Sequence, residues 1–218
     1  MAIDKVWNEI HKNGRWGTYP SEHVIRFVAR NFYGKVRNEI KILDFGCGGG
    51  AHTWYLAREG FDTYAFDGSE YAVANVEEFL SLENLAAHVE VMDGSSLSYD
   101  ADFFDAIIDN VCIYANLVCD IEKMYNECYR VLKPGGLLLS AVFGTETMGC
   151  GTGVELEENT YENMTCGRLE GRGKAHFFKR DELEKVMAKA GFKDIRIDEM
   201  MYTDDGIPVQ MYIARGEK

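Results

Sequence analysis

The chain has 218 residues, 46% of them apolar, enough to bury a real core within one α/β domain. A formal net charge of −13, with no basic cluster beyond the short "GRLEGRGKAHFFKR", argues against a nucleic-acid partner. Cys47, Cys112, Cys119, Cys128, Cys150 and Cys166 form no CxxC pair, and no run approaches the roughly 20 apolar residues of a spanning helix. The expectation is a cytoplasmic protein with reduced thiols, no metal and no membrane anchor.

In chain order, residues 1–39 read as an N-terminal helical cap, because Val24, Phe27, Val28 and Phe32 recur at helical spacing after Ser21, a candidate cap. The preceding "HKNGRWGTYP" is too rich in Gly and Pro for a helix. Short strands and helices then alternate. "KILDF" is a buried first strand, followed by a helix through "HTWYLAREG". "DTYAFD" is the second strand, and Val73, Val76 and Leu80 stripe the helix after it. "HVEVMD" and "FFDAIIDN" are the third and fourth strands. Ile121, Met124, Tyr125, Cys128, Val131 and Leu132 then mark a long amphipathic helix, and "KPGG" opens a fifth strand, "LLLSAVF". This alternation predicts a parallel sheet covered on both faces. Residues 144–175 break the rhythm, with many glycines and no clear period, and read as a lid-like insertion within a single domain spanning 1–218. Leu183, Val186, Met187 and Ala190 mark a last helix stopped by Gly191. "DIRIDEMMY" and "VQMYIAR" close an antiparallel hairpin, since "TDDGIP" is too short for a crossover.

The chemistry gathers at strand ends. "ILDFGCGGGAH" delivers the first strand into a turn bare of side chains, and the second strand ends in Asp67. A glycine turn between strand and helix, followed by an acid one strand later, is a nucleotide-binding arrangement in which the carboxylate accepts from ribose hydroxyls. The text also fits a dinucleotide fingerprint, so an NAD-dependent oxidoreductase is one reading. Asp44, two residues before the first glycine, tells against it: an acid there repels a pyrophosphate and welcomes an ammonium or sulfonium.

With "VLKPGGLLLS" and the terminal hairpin, these features resemble the class I S-adenosylmethionine-dependent methyltransferases, closely over 40–143 and loosely over 176–215. The resemblance implies a doubly wound, three-layer α/β/α fold with a seven-stranded sheet in the order 3-2-1-4-5-7-6, strand 7 antiparallel. It implies that Asp44, Gly46, Cys47, Gly48 and Gly50, with their loop, cradle the methionine part of the cofactor. Asp67, with Gly68 and Ser69, is implied at the ribose, Asp93, Gly94 and Ser95 at the adenine, and Asp109 and Asn110 at the amino group. Family members also fold an N-terminal segment over the cofactor, a place for Trp16 and Tyr19.

Methyl transfer needs a base only when the acceptor must lose a proton. Tyr114, after the fourth strand, and His176, at the lid junction, are the candidate catalytic residues, and Glu146 is a candidate partner for a cationic acceptor. His11, His23, His52 and His88 do not cluster at metal-ligand spacing, and no Asn-Pro-Pro-Tyr tetrad follows strand 4. The expected function is methyl transfer to an oxygen or nitrogen of a small molecule by a monomer or homodimer, with S-adenosylhomocysteine as product. A cofactor-binding interaction module remains the other alternative.

Overall fold

The computed structural model describes residues 5–14 and 17–218. Its centre is β1 (Lys41–Phe45), flanked by parallel strands on both edges, where Ile42, Leu43, Asp44 and Phe45 are all buried because the sheet is covered on both faces. The flanking strands are β2 (Asp62–Asp67), with Leu43 opposite Tyr64, and β4 (Phe104–Asn110), with Leu43 opposite Ile107. Beyond them lie β3 (His88–Val91) on one side and β5 (Leu132–Phe143) on the other. The C-terminal strands β9 (Lys193–Asp204) and β10 (Ile207–Glu217) complete the sheet, in the order β3-β2-β1-β4-β5-β10-β9. β10 is antiparallel to both β5 and β9, so the expected topology is the one observed.

Helices cover both faces. α3 (Ala51–Arg58) and α4 (Glu70–Leu82) follow β1 and β2, α5 (Val118–Val131) enters β5, and α6 (Arg180–Ala190) precedes β9. Asp105 has a structural place at the start of β4: its carboxylate accepts from the Lys41 N–H at 2.9 Å and pairs with Lys133. The N-terminal helices are α1 (Lys5–Lys12) and α2 (Glu22–Phe32). α1 runs on through His11 and Lys12, two residues into the stretch the sequence excluded from a helix. Ser21 stands at the N-cap of α2, but its side chain makes no cap bond. Instead, its carbonyl accepts from Val24 and Ile25.

Residues 144–175 are more built than their composition suggests. β6 (Val154–Glu157), β7 (Thr160–Glu162) and β8 (Ala175–His176) form a small antiparallel sheet, and Met164 and Leu169 join the main core. β6 alternates Val154, Glu155, Leu156 and Glu157, but Val154 and Leu156 are both exposed, so the alternation marks no core face.

Candidate active site

A cavity of about 580 Å³ opens at the carboxyl ends of β1, β2 and β4, where open α/β sheets hold ligands. Its floor is the turn after β1. Gly46 has φ +71° and Gly48 φ +50°, left-handed conformations that side chains disfavour. The two serve different ends. A Cβ on Gly46 would fall 2.1 Å from Cys112 Sγ, so that glycine is needed for packing. A Cβ on Gly48 would meet only the His11 ring, at 3.5 Å.

Asp67 fixes this turn from the end of β2. Its Oδ2 accepts the Gly48 N–H at 2.9 Å and its Oδ1 accepts the Ser69 N–H at 2.9 Å. Gly46, Cys47, Gly48, Gly49, Asp67, Gly68, Asp93, Gly94 and Asn110 all line the cavity. Asp93 is shaped by Ser95, whose N–H (2.9 Å) and hydroxyl (2.7 Å) both donate to Oδ1. Tyr19 reaches the cavity mouth with most of its ring exposed, set edge-on to Trp54. Trp16 lies outside the described residues.

Other expected cofactor residues stand behind the wall. Gly50 packs on Val76, and Ser95 serves the Asp93 turn. Ser69 caps α4 by accepting the Ala72 N–H, and donates to Asn8 Oδ1 at 2.7 Å, tying α1 over the site. Asp44 and Asp109 are fully buried, and burial raises both carboxyls to about 6. Asp44 accepts the Thr53 hydroxyl at 2.6 Å. Asp109 accepts the Ser140 hydroxyl at 2.6 Å and the N–H groups of Cys112 and Ile113. These bonds hold the turn after β4, where Val111 has φ +57°. A β-branched residue there is strained and marks a constrained site.

Of the catalytic candidates, Tyr114 lines the cavity, its ring edge-on to Phe143 at 4.9 Å. Burial pushes its phenol well above the usual range, so the hydroxyl stays protonated. His176 corrects the expectation. Its fully buried ring bonds Thr160 Oγ1 through Nδ1 (2.7 Å) and Glu182 Oε1 through Nε2 (3.1 Å), which ties the insertion to α6 away from the cavity. Glu146 is also absent from the lining, and its N–H donates to Gln210 Oε1.

The sequence missed what closes the far side. His23, in the first turn of α2, bonds Asn110 Oδ1 through Nε2 at 2.6 Å. With that oxygen accepting, Nε2 carries the ring proton and Nδ1 keeps a lone pair. Burial lowers its pKa, so the imidazole is neutral at pH 7. His52 accepts the Ser21 N–H at 3.3 Å, and burial lowers it to about 4. His11 joins the wall, its Nδ1 buried and without a partner among the described residues. Arg168, Leu169 and Arg172 enter from the insertion, and Met200, Tyr202, Val209 and Met211 from the hairpin. The only sequence signal for His23 was its position off the Val24–Phe27–Val28 stripe.

The model of a family described as "methyltransferase domain" matches residues 42–136, which hold the glycine turn, Asp67, Asp93 and the turn after β4. Through this match and through its fold, the chain resembles the S-adenosylmethionine-dependent methyltransferases. It is similar to a sterol 24-C-methyltransferase of Yarrowia lipolytica, 26% identical over 82% of this chain and 45% of the relative. It is also similar to a ubiquinone biosynthesis O-methyltransferase of Rhizobium etli, 22% identical over 71% of this chain and 60% of the relative. The chain thus spans about half the length of the sterol relative and somewhat more of the other. The crystal structure of a methyltransferase from Methanosarcina mazei shares the fold, with TM-score 0.72 and 22% identity over 92% of this chain and 98% of that one.

The methyltransferase cofactor suits what this cavity offers. The space beside Gly48 is one a side chain would fill, and Asp67 and Asp93 flank it with oxygen acceptors for hydroxyl and amine donors. Among the described residues, no three His, Cys, Asp or Glu side chains are grouped to hold a metal ion, and no helix is long and apolar enough to cross a membrane.

Proposed function

We propose that this methyltransferase moves a methyl group to an oxygen or nitrogen of a small-molecule acceptor. One observation carries the reading: the cavity that begins at the glycine turn and Asp67 continues without a break to Tyr114, Phe143, Met200 and Met211. One wall therefore serves a polar nucleoside and the other an apolar acceptor.

The cofactor supplies a methyl group already activated on positive sulfur. The backbone of Gly46–Gly49 and of Asn110 holds its amino-acid end, Asp67 the ribose, and Asp93 with Gly94 the adenine. Tyr114 orients the acceptor through its protonated hydroxyl. His23 receives the acceptor's proton at Nδ1, and Asn110 keeps the imidazole in the tautomer that can do so. α1, pinned through Asn8 to Ser69 and through the His11 carbonyl to Asn75, covers the cofactor side and excludes water. Alignment and dryness are the protein's main contributions to such a displacement.

The test is calorimetric titration with S-adenosylhomocysteine and with NAD, followed by turnover of methyl-labelled S-adenosylmethionine against phenol and amine panels. Binding of NAD alone rejects the reading. Tight binding of S-adenosylhomocysteine with no transfer to any acceptor makes the chain a binding module instead.

A further inference from the structure

The acceptor side of the cavity has a charge its surroundings do not predict. The chain as a whole is strongly acidic, and Asp67 and Asp93 lie on the cofactor side. The residues that close the opposite side include two guanidinium groups, Arg168 and Arg172. They come from one short turn, built by the Glu170 N–H donating to the Gly167 carbonyl and the Arg172 N–H donating to the Leu169 carbonyl. Leu169 between them is 3% exposed, packed in the core and also part of the cavity lining, so it anchors the turn and fixes where both arginines start.

The two differ in setting. Arg168 is half-exposed at the rim, pairs with Asp204 at 2.5 Å and lies beside Tyr202. Arg172 is half-buried, and its charge reaches the buried Tyr114 phenol, placing it near the group that faces the acceptor. Glu22 is the acid on the N-terminal side of the lining; it is exposed and leans toward Arg26. Around these charges the wall is Phe143, Leu169, Met200 and Met211, an apolar surface of low dielectric in which a charge-assisted bond is strong.

We propose that the methyl acceptor carries an anionic group, a carboxylate or a phosphate, on an apolar body, and that Arg172, seconded by Arg168, receives that group. This rests on the methyltransferase reading and narrows it. A planar guanidinium meets either anion through paired N–H donors, which a neutral amide of the same shape cannot match. The anion is held at the insertion side, so the apolar body spans the chamber and presents its oxygen or nitrogen toward Tyr114 and His23. The insertion thereby selects the acceptor as well as covering it.

The experiment uses the full chain saturated with S-adenosylhomocysteine and titrates in phenylacetate, phenyl phosphate and phenylacetamide as probes. At least one anion should bind roughly tenfold or more tightly than the amide, and the better of the two identifies the anion class. That preference should fall as ionic strength rises. Arg172→Gln should bring the anion down to the level of the amide, Arg172→Lys should keep part of the preference, and Arg168→Gln should reduce it less. S-adenosylhomocysteine affinity should hold in all three variants. Equal binding of anions and amide, no anion binding at millimolar concentration, or an unchanged preference in Arg172→Gln overturns the proposal. An arginine that only braces the turn would lower the melting temperature without changing the anion-to-amide ratio, and that result also overturns it. Failure of the wild-type protein to bind S-adenosylhomocysteine rejects the methyltransferase reading instead. Salt dependence in the wild type decides the matter if a variant does not fold.

Discussion

Asp67→Ala separates two jobs that one carboxylate performs. In the free protein its oxygens accept the Gly48 and Ser69 N–H groups, each at 2.9 Å, so the side chain braces the glycine turn before any ligand arrives. A hydrogen bond to a charged group contributes about 1.5–3 kcal/mol, and both of these are only part-buried, so the lower end applies to each. The expected loss is about 3 kcal/mol of stability, a fall of roughly 6–12 °C in melting temperature for a domain of this size. Asp67 also lines the cavity, where ribose hydroxyls would donate to the carboxylate's remaining lone pairs. Losing those bonds should weaken S-adenosylhomocysteine by about 1.5–3 kcal/mol, roughly 10- to 150-fold in Kd. Calorimetry on folded protein reads the second effect, and thermal unfolding without ligand reads the first. Asp67→Asn should fall between, since its carbonyl can still accept one N–H while its amide group opposes the other. A folded Asp67→Ala protein with an unchanged Kd would refute the ribose assignment, whatever happened to its melting temperature.

Three further outcomes follow from the same geometry. Gly46→Ala should lose more stability than Gly48→Ala, because its Cβ would collide with Cys112, whereas Gly48→Ala should lose more cofactor affinity. Paired melting and calorimetric measurements that reverse this order reject the division of roles. Asp44 has a folded pKa of about 6 against an ordinary 3.8, so its protonated form is favoured by folding. Its stability contribution is therefore present at low pH and lost as pH rises from about 4 to 6, by roughly 3 kcal/mol. Asp44→Asn, which can still accept from Thr53, should flatten that part of the stability–pH curve of the cofactor-free protein; an unaltered slope shows that Asp44 is not the titrating group. His23→Ala should cut kcat by a hundredfold or more while barely changing S-adenosylhomocysteine affinity, the usual scale for general-base loss. In the wild type, the acid-side fall of kcat/KM should be displaced downward from the ordinary histidine value, because burial lowers this imidazole. Full turnover in the variant rules His23 out as the base.

What the sequence disclosed tracks the range of the interactions involved. Ile42–Leu43 and Ala106–Ile108 are short apolar runs because their strands are covered on both faces, and glycine followed by an acid one strand later is a local pattern. Which way a side chain turns was less legible. Asp44 and Asp109 sit at the expected strand ends, yet their carboxylates are taken up by Thr53 and Ser140 behind the cavity wall, and nothing in the spacing announced those partners. His176 stood at a plausible junction, but Thr160 and Glu182, from β7 and α6, enclose it. His23 and Asn110 are 87 positions apart, and only the docking of α2 beside the end of β4 makes them a pair.

The same division separates the two walls of the site. Residues 42–136, the stretch that matches the family model, supply the glycine turn, Asp67, Asp93, Asn110 and Tyr114. His23, Phe143, Arg168, Arg172, Met200, Tyr202 and Met211 all lie outside it, on α2, the end of β5, the insertion and the hairpin. A backbone cradle can hold the cofactor with little demand on side chains beyond an acid at each strand end, so the match to the family model is carried by that stretch alone. The acceptor wall is built almost wholly from side chains, borne on elements brought together only by folding. On the proposed reading, those seven residues and their charges select the acceptor, and Arg168 and Arg172 make the most specific demand on it.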